Sequence, residues 1–239
     1  MKKLIVITGA SSGIGEAIAR RLSNSGHPLL LLARRIERIQ ALNLPNTLCE
    51  QVDVTDKASF TAAITKAEAT YGATDCIVNN AGVMLLSELD VQNPEEWKTM
   101  FDVNVIGLMN GMQAVLAPMK ARKTGTIINI SSVAGRKTFP NHAAYCGSKF
   151  AVHAITENVR EEVASSNVRV CTIAPGAVET ELLSHTTSND IVSGYQAWKE
   201  EMGGVLMPDD IAQAVEYVYA QPQQVCVREV VLAPTMQQP

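Results

Sequence analysis

The sequence predicts an α/β fold in which a doubly wound parallel sheet of about seven strands carries helices on both faces, within one domain over residues 1–239. Three observations predict it. Short apolar runs alternate with helix-length segments along the whole chain. A glycine cluster, TGASSGIG, directly follows the first apolar run. No repeat, low-complexity tract or linker interrupts the alternation.

The strands are read at Leu4–Thr8, Leu29–Ala33, Leu48–Val52, Asp75–Asn79, Thr126–Ser131, Arg169–Ala174 and Cys226–Leu232. They are mostly continuous apolar runs, as expected of strands covered on both faces. Helical spacing falls between them at Gly13–Gly26, Arg35–Leu42, Asp56–Tyr71, Pro94–Met119, Ala143–Ser165 and Pro208–Ala220. Asp56 and Asn93 stand where side-chain caps belong. Val178–Val205 departs from the pattern, being long, polar and aromatic, with Gly203 and Gly204 near its end. Two readings stay open there, a mobile substrate lid and an ordinary surface helical insertion.

Composition excludes several classes of function. With 46% hydrophobic and 18% charged residues the chain is a packed globule rather than a disordered segment. A net charge of −4 gives no pull toward nucleic acid or anionic lipid. Cys49, Cys76, Cys146, Cys171 and Cys226 show no CxxC spacing and are read as free thiols. The four histidines have no ligand spacing, so no metal site is expected. Gly9 breaks the N-terminal apolar stretch before a signal-peptide core forms, and no later run reads as a membrane span, so the cytoplasm is the expected location.

TGASSGIG places Gly9, Gly13 and Gly15 at a strand-to-helix junction. Glycine lets the backbone approach a pyrophosphate, and the free N–H groups of the helix start attract it. Glu16 stands where a nucleoside-triphosphate loop needs Lys-Ser/Thr, which removes that reading. At the end of the second strand, where an acid would hold the ribose of NAD, the chain has Ala33, Arg34 and Arg35. A guanidinium there favours a 2′-phosphate by roughly 1.5–3 kcal/mol, so NADP(H) is expected over NAD(H), with Ser11 assisting Arg34. The plainer reading is a solvated basic helix start, since Arg38 is close by.

Tyr145 and Lys149 are one helical turn apart and share a face. An ammonium beside a phenol favours the phenolate, and a downward shift of two to three pKa units would need roughly 3–4 kcal/mol. Such a pair is weak alone. Its position after a strand that ends in Ser131 and Ser132 strengthens it.

TGASSGIG, NNAG at Asn79–Gly82, NVIG at Asn104–Gly107, Ser132 and YCGSK at Tyr145–Lys149, in this order, resemble the short-chain dehydrogenase/reductase family across nearly the whole chain. The resemblance implies a Rossmann fold and a hydride exchanged between nicotinamide and a carbonyl or secondary alcohol. It implies Tyr145 as acid/base, Ser132 as the hydroxyl polarising the substrate oxygen, Lys149 as tuner of Tyr145 and holder of the nicotinamide ribose, and Asn104 as part of a water relay. Gly9, Ser11, Ser12, Gly13 and Gly15 would form the pyrophosphate cradle, with Ile14 packed beside the cofactor. Asp53 and Val54 would meet the adenine. Asn80, Ala81 and Gly82 would meet the adenine-side ribose and the central strand. Pro175, Gly176, Val178 and Thr180 would face the nicotinamide carboxamide.

Within the family, ARRIERIQAL and LMPDDIAQAV resemble the NADP-dependent 3-hydroxy acid and serine dehydrogenase branch. Arg136 and Lys137 would then hold a substrate carboxylate, or else lie on a solvated loop. The chain also resembles the family's NADPH-dependent blue fluorescent members, in which bound reduced cofactor is the emitter and catalysis is secondary. The helices Pro94–Met119 and Ala143–Ser165 resemble those through which members form homotetramers and homodimers. Small-molecule substrate and a second copy of the chain are thus the expected partners, with no nucleic acid and no membrane.

Overall fold

The seven expected strands form one sheet. The structure, a computed structural model, describes residues 2–237. Strands β1 (Leu4–Thr8), β2 (Leu29–Ala33), β3 (Thr47–Gln51), β4 (Thr74–Asn79), β5 (Thr126–Ile130), β6 (Arg169–Pro175) and β7 (Glu229–Leu232) lie in the order β3-β2-β1-β4-β5-β6-β7. Every neighbouring pair is parallel. The chain winds outward from the centre in both directions, and the reversal between β1 and β4 opens a crevice at their carboxyl ends.

Strand β2 shows why continuous apolar runs make this sheet. Leu29 and Leu31 pack in one layer with Ile5, Ile7, Ile18 and Leu22, whereas Leu30 and Leu32 pack in the other with Leu4, Val6 and Phe60. Each buried leucine contributes about 1.5–3 kcal/mol, and a polar residue on either face would forfeit it. The apolar run Cys226–Leu232 is shorter as a strand than expected, pairing only over Glu229–Leu232. An edge strand has one neighbour, so hydropathy alone does not extend its ladder.

Helices α1 (Gly13–Asn24), α2 (Ile36–Ala41) and α8 (Pro208–Ala220) cover one face, and α3 (Lys57–Tyr71), α5 (Leu108–Arg122) and α6 (Ala143–Val163) cover the other. Asp56 caps α3 by accepting from the N–H groups of Ala58 and Ser59 at 3.0 and 3.2 Å. Asn93 caps α4 (Pro94–Phe101) by accepting from Glu95 N at 3.0 Å. The helix expected over Pro94–Met119 runs on to Arg122 and is interrupted by a π-helical turn at Asp102–Gly107. By length and composition Pro94–Arg122 could cross a membrane. Its Leu108, Met112, Val115 and Met119 are instead buried against the sheet, which accounts for that composition.

The segment 178–205 contains a 3₁₀ turn, Glu181–His185, and helix α7 (Asn189–Glu201). Its two ends are tied together. Val178 bridges to Leu206, Glu179 N donates to Leu206 O at 2.8 Å, and Leu206 N donates to Ala177 O at 2.9 Å.

Candidate active site

A cavity of about 700 Å3 opens at the carboxyl ends of the central strands, reaching from the loop after β1 to α6 and α7. Its phosphate end is built by backbone. Gly9 and Gly13 have φ of +65° and +54°, a region that costs other residues strain. Ser11, Ser12, Gly13 and Ile14 line the cavity where α1 begins. Ser12 precedes the helix in extended conformation and makes no side-chain cap, so the first-turn N–H groups stay free for an anion. Gly15, expected in the cradle, does not line the cavity. A Cβ there would sit 2.2 Å from Gly9 O and 2.6 Å from Asn80 Nδ2, so this glycine serves close helix-to-strand packing behind the cradle.

One residue in the same motif went unnoticed in the sequence. Thr8 Oγ1 accepts from the N–H groups of Asn80 and Ala81 at 2.9 and 3.0 Å, and Asn80 Nδ2 donates to Thr8 O at 3.0 Å. This clamp joins the ends of β1 and β4 and aims Asn80, Ala81 and Gly82 into the cavity. Position one of TGASSGIG was the available signal.

At the end of β2, Arg34 and Arg35 both line the cavity but differ in partners. Arg35 donates to Ser11 Oγ and Ser12 Oγ at 3.3 and 3.0 Å, and through both Nη atoms to Glu181 Oε2 at 3.1 Å. Arg34 is exposed and pairs with no carboxylate among the described residues. Ser11 therefore assists Arg35, not Arg34, because consecutive side chains leaving a strand point to opposite sides. Asp53 Oδ1 accepts from Thr55 N and Oγ1 at 2.9 and 2.7 Å, which fixes the loop that also presents Val54.

Tyr145 and Lys149 rise from the first turns of α6 and are 6% exposed each. Lys149 Nζ donates to Ile130 O at 3.1 Å, and burial lowers its pKa to about 8. Burial also dominates at Tyr145 and raises its pKa, with the Ser132 hydroxyl opposing. The direction is opposite to the expected one: desolvation dominates, and the ammonium stands 5.8 Å from the ring centroid. Ser132 lies at the cavity wall, its Oγ accepting from Ala134 N at 3.1 Å at the start of a short 3₁₀ turn.

Asn104 sits in the π-helical turn, 1% exposed and off the cavity surface. Its Nδ2 donates to Val83 O at 2.9 Å and Ser148 Oγ at 3.1 Å, and its Oδ1 accepts from Val83 N at 2.8 Å. Both amide hydrogens are spent, so the side chain has no donor left for a relay water. It locks the chain after β4 against α6. Ser148, the other unnoticed residue, completes this link by donating to Tyr145 O at 2.7 Å. Pro175, Gly176, Val178 and Thr180 line the cavity beyond β6.

Residues 3–191 match the family model described as short chain dehydrogenase. An uncharacterized oxidoreductase of Staphylococcus saprophyticus is 41% identical over 241 residues, covering 98% of this chain and 97% of its own. The chain belongs to the short-chain dehydrogenase family. It is accordingly an oxidoreductase of a family that uses a nicotinamide cofactor. Serine dehydrogenase in its closed form with NADP+ superposes with TM-score 0.93 and 32% identity, covering 99% of this chain and 96% of that one. An alcohol dehydrogenase from Thermococcus sibiricus, complexed with 5-hydroxy-NADP, gives TM-score 0.87 and 29% identity over 100% of this chain and 99% of that one.

The far end of this short-chain dehydrogenase's cavity is aromatic, and the Lys199 ammonium on the cavity wall is held by Glu179 at 2.6 Å. Phe139, His142, Tyr195 and Trp198 line that end. The His142 ring stacks on Tyr195 at 6.4 Å and meets Tyr145 edge-on at 6.2 Å, and Tyr195 meets Trp198 at 5.1 Å. Burial lowers the His142 pKa and raises that of Tyr195 to about 12, so both are uncharged at neutral pH. Arg136 and Lys137, read either as carboxylate partners or as part of a solvated loop, lie outside the cavity. Arg136 pairs with Glu229 at 2.7 Å, and Lys137 Nζ sits 5.6 Å above the Phe139 ring. His153, on the same helix as Tyr145, also reaches Glu229 at 3.1 Å.

Proposed function

We propose that this short-chain dehydrogenase transfers hydride between NADP(H) and a carbonyl or secondary alcohol flanked by apolar or aromatic groups, with Tyr145 moving the proton. The observation that carries the reading is convergence within one cavity. A glycine-built helix start with free N–H groups, an Arg34 guanidinium without an acid partner among the described residues, and a buried Tyr145–Lys149 pair all face it. These groups fit a phosphorylated dinucleotide, whose nicotinamide supplies the two-electron carrier. NADP or a derivative in the two structural neighbours supports the same cofactor choice.

The chain's own contribution is acid–base and electrostatic. Burial keeps Tyr145 a neutral phenol, the form that donates a proton to a carbonyl oxygen as negative charge develops there. Ser132 offers its hydroxyl hydrogen to the same oxygen. The Lys149 ammonium stabilises the phenolate left behind. In the reverse direction Tyr145 must first lose its proton, so carbonyl reduction is favoured at neutral pH.

The aromatic end selects the substrate. A carboxylate there would lose its hydration while Lys199 on the wall is already held by Glu179 at 2.6 Å and Arg136 and Lys137 lie outside, so an apolar carbonyl is preferred over a 3-hydroxy acid. The segment 178–205 acts as a lid hinged at the Val178–Leu206 bridge, bringing Tyr195 and Trp198 over the substrate. Phe101, Ile106, Met109 and Phe150 are exposed apolar side chains on α4, the π-helical turn, α5 and α6, where a second copy of the chain packs in the proposed oligomer.

Single-turnover reduction of a ketone panel with NADPH tests this reading. Aryl and alkyl ketones should react faster than keto acids of similar size, and Tyr145→Phe should cost about 10²–10⁴ in rate. Full rate in the Phe variant, or a preference for keto acids, would refute the corresponding part.

A further inference from the structure

The lid delivers a carboxylate to the cations assigned above to the cofactor's 2′-phosphate. Glu181 is the first residue of the 3₁₀ turn Glu181–His185. Its Oε2 accepts from both Nη atoms of Arg35 at 3.1 Å, and its Oε1 accepts from Arg38 Nη1 at 2.8 Å. Arg35 Nη2 is shared further with Ser11 and Ser12. The outward edge of that guanidinium is therefore filled by an acid 146 positions away in the chain.

The placement has a consequence for binding. A planar guanidinium recognises phosphate through the same edge that Glu181 occupies. A 2′-phosphate at the end of β2 cannot take that edge while Glu181 holds it, and two anions side by side repel. Arg34, by contrast, is available. The carboxylate is also mechanically connected. Thr180 next to it packs on Gly13 of the phosphate loop, Leu182 and Leu183 after it line the cavity, and Thr186 at the turn's end accepts from Leu86 N at 3.2 Å.

We propose that Glu181 is a specificity-determining residue: it competes with the 2′-phosphate for Arg35, restrains the preference for the phosphorylated cofactor, and ties occupancy of that subsite to the position of the lid. The inference rests on the NADP(H) reading above. Binding of a 2′-phosphate transfers Arg35 from Glu181 to the phosphate and leaves Glu181 held by Arg38 alone, which frees the 181–185 turn to shift. An unphosphorylated ribose leaves the Arg35–Glu181 contact in place.

Equilibrium binding of adenosine 2′,5′-bisphosphate and of 5′-AMP isolates the subsite from hydride chemistry. The wild-type chain should prefer the bisphosphate. Glu181→Gln, at a side chain that is 49% exposed and so tolerant of change, should bind the bisphosphate about three- to tenfold tighter while 5′-AMP stays within about twofold. Glu181→Asp, which keeps the charge, should stay near wild type. In a Trp97→Phe background, the bisphosphate should shift Trp198 emission and 5′-AMP should not. Unchanged or weaker bisphosphate binding by Glu181→Gln would overturn the proposal, as would equal emission shifts with both ligands. A wild-type chain with no preference for the bisphosphate would instead remove the NADP(H) reading on which the proposal stands.

Discussion

The Lys149 ammonium lies 5.8 Å from the centroid of the Tyr145 ring, one helical turn further along α6, and its single hydrogen-bond partner among the described residues is the Ile130 carbonyl at 3.1 Å. Both groups are buried, and burial acts on them in opposite senses. It holds Tyr145 protonated and it loosens the proton on Lys149. The pair is therefore poised as a neutral acid beside a marginal cation.

A pH profile follows from that arrangement. Lys149 has a pKa of about 8, so its ammonium is present below that pH and is lost above it, while Tyr145 keeps its proton throughout. For carbonyl reduction, kcat/KM should be level from pH 6 to 7.5 and fall above about 8. Alcohol oxidation, which needs a phenolate that the buried Tyr145 does not form in this range, should stay the slower direction throughout. A reduction profile flat to pH 9.5 would show that the ammonium is not required.

Lys149→Met should separate stability from activity. The folded-state pKa of about 8 lies below the ordinary lysine value of 10.5. The buried ammonium therefore costs stability below pH 8, and the cost disappears as pH rises toward 10.5. Its upper bound is about 3 kcal/mol. Losing the donor to Ile130 O returns about 1 kcal/mol, so a net gain of roughly 1–2 kcal/mol is expected at pH 7. Thermal unfolding should show Tm higher by about 2–8 °C at pH 7 and little change at pH 10, with turnover abolished. A variant less stable at pH 7 would contradict the assigned burial cost.

Gly15→Ala tests the packing behind the phosphate cradle. The new methyl would meet Gly9 O at 2.2 Å and Asn80 Nδ2 at 2.6 Å, and the first of these is backbone that cannot rotate away. Overpacking of this kind costs about 1–3 kcal/mol. Tm should fall by about 2–12 °C, and cofactor binding should weaken by roughly tenfold or more because Gly9 is displaced from its turn. Unaltered binding in titration calorimetry would mean that the Gly9 turn does not need this clearance.

The residues of the candidate site are largely legible in the sequence, but their partners are not. Ser132, Tyr145, Lys149, the Gly9–Ile14 loop and Arg34–Arg35 all reach one cavity. Each was readable because the chemistry demands a particular residue type next to a strand end or on one helical turn. Gly15 packs behind the cradle and Asn104 spends both amide hydrogens on Val83 O and Ser148 Oγ, surroundings that their motifs do not spell out. Thr8, Ser148 and Glu181 were overlooked, since a hydroxyl or carboxylate carries no mark of the distant backbone or guanidinium it will meet. The π-helical turn at Asp102–Gly107 was likewise invisible, because it preserves helical hydropathy and alters only which carbonyl each N–H finds.

What this chain's sequence determined by itself is what repeats locally: five-residue apolar runs, helix periodicity, two side-chain caps, glycines at a turn and a tyrosine four residues before a lysine. These are short-range constraints of sterics and solvation, and they suffice for a parallel seven-stranded sheet. Tertiary structure alone decided the electrostatics. The direction of the Tyr145 pKa, the closure of Arg35 by Glu181 and the diversion of Arg136 to Glu229 all depend on burial and on charges far away in sequence. Coulombic and desolvation energies follow distance through space, which only the folded chain sets.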